Sequence, residues 1–118
     1  MKIVVFEVKY ILLLEWHMTL EQMLHIVLER PELYLGERSL SRFASFVLGW
    51  QFSQVDTNAF NKMQAFGNWV GNKYGQEPSA HGWEAIIRFY SPNEVEAMDT
   101  AISLLNEFFN IDVCESIN

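Results

Sequence analysis

The stretch Ser91-Pro92-Asn93-Glu94-Val95-Glu96-Ala97-Met98-Asp99-Thr100-Ala101-Ile102-Ser103-Leu104-Leu105-Asn106-Glu107-Phe108-Phe109 decides the fold class. Ser91 reads as a helix cap, Pro92 as the first helical residue, and Glu94 as the partner that completes a capping box. Val95, Met98, Ile102, Leu105 and Phe109 then recur every three or four residues, reinforced by Ala101 and Phe108. That period places one apolar face on a helix and leaves Glu96, Asp99 and Glu107 off it. Working outward, the same pattern repeats in shorter pieces separated by breakers.

Upstream, Gly82 to Tyr90 predicts a short helix that buries Trp83, Ile86, Ile87 and Tyr90. Phe60, Met63, Phe66, Val70 and Tyr74 predict a helix capped by Asp56 or Thr57 and stopped by Gly75, with a loop to Ser79 marked by Pro78. Gly67, Gly71 and Gly75 fall four apart, a spacing better suited to close helix packing than to a phosphate cradle. Ser39 caps a helix whose inner face is Leu40, Phe43, Ala44, Val47 and Trp50. Residues 30–36 read as a connector, with Leu33, Tyr34 and Leu35 anchoring it. Thr19 and Gln22 have capping-box spacing and open a helix carrying Leu20, Met23, Leu24, Val27 and Leu28, which Pro31 ends. The expected fold is mainly α: a compact bundle of about five short helices in a single domain spanning 1–118.

Residues 1–17 form an apolar N-terminal extension open to more than one reading. Val4, Phe6, Val8, Tyr10 and Leu12 alternate with Glu7 and Lys9, which suits a strand, whereas Ile11 to Trp16 suits a helix. A lone strand would need a partner, and a second copy of the chain would supply it in a homodimer. Met18, directly before the Thr19 cap, would equally serve as the natural start. Glu7 and Lys9 interrupt the apolar run, and no small-residue cleavage site follows, so it is read neither as an export signal nor as a membrane span.

The chain has 118 residues, half of them hydrophobic, which excludes intrinsic disorder. Fifteen acids against eight bases leave a net charge of −7. This argues against nucleic acid and anionic membrane as partners. A single cysteine forms no internal disulfide, and a cytoplasmic location is expected. Catalytic chemistry is not expected either. Cys114 sits beside Asp112 and Glu115, whose charge disfavours a thiolate. His17, His25 and His81 have no metal-ligand spacing, so neither a metal nor a cofactor is expected. What remains is charge. Glu94, Glu96, Asp99, Glu107, Asp112 and Glu115 follow Pro92 with no Lys or Arg among them. They form a candidate face for a basic protein. Trp69 lies off its helix stripe and is the candidate aromatic anchor.

Several stretches carry a further signal: Glu29-Arg30-Pro31-Glu32-Leu33-Tyr34-Leu35-Gly36 followed by Ser39-Leu40-Ser41-Arg42-Phe43 and Gly49-Trp50, then Phe66-Gly67-Asn68-Trp69-Val70, His81-Gly82-Trp83-Glu84-Ala85-Ile86-Ile87, and Glu94-Val95-Glu96-Ala97 with Leu104-Leu105-Asn106-Glu107-Phe108. Over about residues 19–110 the chain resembles small bacterial immunity proteins of polymorphic-toxin and contact-dependent growth inhibition systems. The resemblance implies a non-enzymatic protein that binds a cognate toxin domain, such as a nuclease, and occludes its active site. Glu94, Glu96, Asp99, Glu107 and Trp69 are the candidate toxin-binding residues, chosen from charge and exposure. The alternative is a helical adaptor or regulatory module that dimerises through its N-terminal segment.

Overall fold

In the computed structural model, residues 18–54, 57–76 and 82–113 are described. The expectations for residues 1–17, Asp56, Pro78, His81, Cys114 and Glu115 lie outside them. The described residues form six helices: α1 (Leu20–Glu29), α2 (Pro31–Leu35), α3 (Leu40–Phe52), α4 (Asn58–Lys73), α5 (Trp83–Phe89) and α6 (Glu94–Phe109). The mainly helical expectation holds, with no strand among the described residues. The sixth helix comes from the supposed connector. Pro31 ends α1 and also opens α2 at its first position, where its missing N–H costs nothing. Gly36 closes α2 at φ 89°, a left-handed geometry. A Cβ there would also stand 2.8 Å from Arg42 Nη1.

Two termini follow local chemistry closely. At α1, the Thr19 hydroxyl accepts from the Gln22 N–H at 3.1 Å while the Gln22 amide oxygen accepts from the Thr19 N–H at 2.9 Å. At the end of α4, Gly75 takes φ 69°. Its N–H then reaches the Asn72 carbonyl at 3.2 Å and the Gln76 N–H reaches Gly71 at 2.8 Å, which satisfies two carbonyls the helix end would otherwise orphan.

The core is continuous. Helix α6 packs against α3, α4 and α5, α5 packs also against α3 and α4, and α2 bridges α1 to α3. Phe66 is fully buried at the centre, with the rings of Trp69, Trp83, Phe108 and Phe109 at 5.4 to 6.0 Å between centroids. A Cβ on Gly67 would sit 3.6 Å from Trp83 Cδ1, so this glycine lies directly beneath an indole of α5.

Several expected burials are corrected. Leu35 alone anchors α2 among the three apolar residues assigned to it; Leu33 and Tyr34 are exposed. Val95 is exposed, because the inner face of α6 runs through Ala97, Met98, Ala101, Ile102, Leu104 and Leu105. Tyr90 is exposed and stacks on Tyr74 at 4.9 Å. Beyond Ile111, Val113 is buried and its carbonyl accepts from Asn106 Nδ2 at 3.0 Å.

Candidate functional site

Helix α6 carries four of the five candidate residues. Its cap is Asn93, not Ser91: Asn93 Oδ1 accepts from the Glu96 N–H at 2.9 Å, and the helix begins at Glu94. Ser91 instead donates its hydroxyl to the Ile87 carbonyl at 2.7 Å, which closes α5. Starting at Asn93 rather than Ser91 still leaves Glu94 and Glu96 in the first turn, beside the positive end of the helix dipole. At ~100° per residue, Glu96, Asp99 and Glu107 fall within ~80° of one another while Glu94 points away from them.

Glu94 is turned toward the rest of the protein. Oε1 accepts from the Ser41 backbone N–H at 3.0 Å and from the Ser39 hydroxyl at 3.1 Å. Oε2 accepts from Arg88 Nε at 3.0 Å and from the Ser41 hydroxyl at 3.3 Å. The Ser41 N–H, aided by the Arg88 guanidinium, holds the Glu94 carboxyl at about 2 against an ordinary 4.5. Arg88 in turn pairs with Glu84 one turn back on α5, and its pKa is raised by Glu84 and Glu94. Ser39 accepts from the Arg42 N–H at 3.2 Å as the α3 cap, so one carboxylate ties together the starts of α3 and α6 and the end of α5. This is a structural junction, and it was missed from sequence. The Glu84–Arg88 spacing on α5 was its one local signal.

The other acids face solvent, two of them with partners. Asp99 Oδ1 takes both Arg38 Nε and Nη2 at 2.7 Å. Glu107 pairs with Lys73 at 3.5 Å. Glu96 is exposed and makes no ion pair among the described residues. Trp69 is not a free anchor: it packs on the core, 5.2 Å from Phe108 between centroids, with Lys73 Nζ 4.9 Å above its ring.

Among the concave features of the surface, one beside Tyr34, Leu35, Ser41, Arg42 and Phe46 is a shallow depression of about 570 Å³. A groove of about 440 Å³ runs between α1, α2 and α3, lined by Met23, Ile26, Tyr34, Phe46, Gly49 and Trp50, with Met18 at its edge. Trp50 is buried in its wall, and its Nε1 has no hydrogen-bond acceptor among the described residues. A cleft of about 300 Å³ lies at the end of α5 beside Phe89 and Tyr90. No group of three or more His, Cys, Asp or Glu that could hold a metal occurs among the described residues. His25 is half-buried, with Glu29 one turn away at 3.8 Å. Nor is any described helix long and apolar enough to cross a membrane. No family model matches the chain, and no significant match is found among curated proteins or solved structures.

Proposed function

We propose that this protein is an immunity protein that binds a basic toxin domain and covers its active site. The observation that carries the reading is the outward face of α6. Glu96, Asp99 and Glu107 project from one side of a single rigid helix, and that helix contains no Lys or Arg. An acidic ridge of this kind accelerates encounter with a cationic surface. The resemblance to immunity proteins points the same way. Glu94 and Trp69 leave the binding set, since their side chains are engaged within the fold.

The test uses the toxin-like C-terminal domain of a large secreted protein encoded next to this gene. Co-expression is expected to restore growth, and the complex should weaken as salt rises. Glu96→Lys is the cleanest probe, because it breaks no ion pair. It should slow association roughly threefold to tenfold at low salt with little change in dissociation. An unchanged association rate would remove α6 from the interface, and failure to rescue growth would remove the immunity reading.

A second reading is a helical adaptor that dimerises, with the apolar groove between α1, α2 and α3 as a surface a second copy would cover. Light scattering on the full chain tests it, with a monomer mass at high concentration counting against it.

A further inference from the structure

We draw no further inference here: the strongest candidate, the apolar groove between α1, α2 and α3 lined by Met23, Ile26, Phe46 and Trp50, carries nothing because no described residue shows what covers it.

Discussion

Replacing Glu94 with glutamine tests the junction on which α3, α5 and α6 converge. The carboxylate accepts four hydrogen bonds, one of them from the Arg88 guanidinium. Its folded pKa is about 2 against 4.5. At ~1.4 kcal/mol per tenfold change, the full difference would be worth ~3 kcal/mol. The side chain is 40% exposed, so solvent screening reduces this to about 1–2 kcal/mol. Because the folded value is depressed, the stabilisation is complete above the unfolded pKa and disappears as pH falls through the folded one. Glu94→Gln should therefore be less stable than the natural chain by about 1–2 kcal/mol at pH 7. The two should converge as pH drops from ~5 toward 2. Urea denaturation followed by far-ultraviolet circular dichroism, at pH 7 and at several steps down to pH 2, measures this directly, with the urea slope expected to be unchanged. The reasoning fails if the two proteins are equally stable at pH 7. It also fails if their difference persists at pH 2, since the glutamine would then be acting through shape rather than lost charge.

Two further perturbations separate look-alike residues. Phe66→Ala removes a fully buried ring that touches four other aromatics and should cost about 3–5 kcal/mol in the same denaturation assay. Phe89→Ala, at 78% exposure, should stay within ~0.5 kcal/mol; similar losses at both positions would contradict the packing described. Among glycines, Gly49→Ala enters open space within α3 and should raise the melting temperature, by the equivalent of ~0.5–1 kcal/mol. Gly36→Ala, with its positive φ and the 2.8 Å approach of Arg42, should lower it by at least ~1 kcal/mol.

The helix content of this protein is legible in its sequence because the signals are local. The Thr19–Gln22 box, the Ser39 cap, the Gly75 stop and the apolar stripe of α4 each involve residues within a turn or two of one another, and each forms as the spacing implies. The start of α6 was misread because two caps overlap there. Ser91 and Glu94 have box spacing, and so do Asn93 and Glu96. The choice between them is made far away in the chain. Glu94 is drawn to Ser39 and Ser41, more than fifty residues earlier, which leaves Ser91 without its reciprocal partner and free to close α5. Residues 30–36 show the complementary error. The proline was read as a stop, although its fixed φ suits a first helical turn equally well, and only the packing of Leu35 decides that a turn of helix follows.

Charge follows the same logic, and it bears on function. Counted along the sequence, the segment after Pro92 is purely acidic and reads as an uncompensated patch. In three dimensions the cations arrive from other helices: Arg88 from α5 meets Glu94, Lys73 from α4 meets Glu107, and Arg38, just ahead of α3, meets Asp99. The pairs at Asp99 and Glu107, whose carboxylates are exposed, add little to stability, yet each lowers the field a basic partner would feel. Of the four acids on α6 first assigned to binding, Glu96 alone keeps an uncompensated charge among the described residues. A partner would therefore gain its steering mainly from Glu96, and would have to compete with Arg38 and Lys73 for Asp99 and Glu107. If α6 is the docking face, Arg38→Gln and Lys73→Gln should each speed association while Glu96→Gln slows it. Two accelerations and one retardation around one helix face are a pattern that loss of folding cannot imitate.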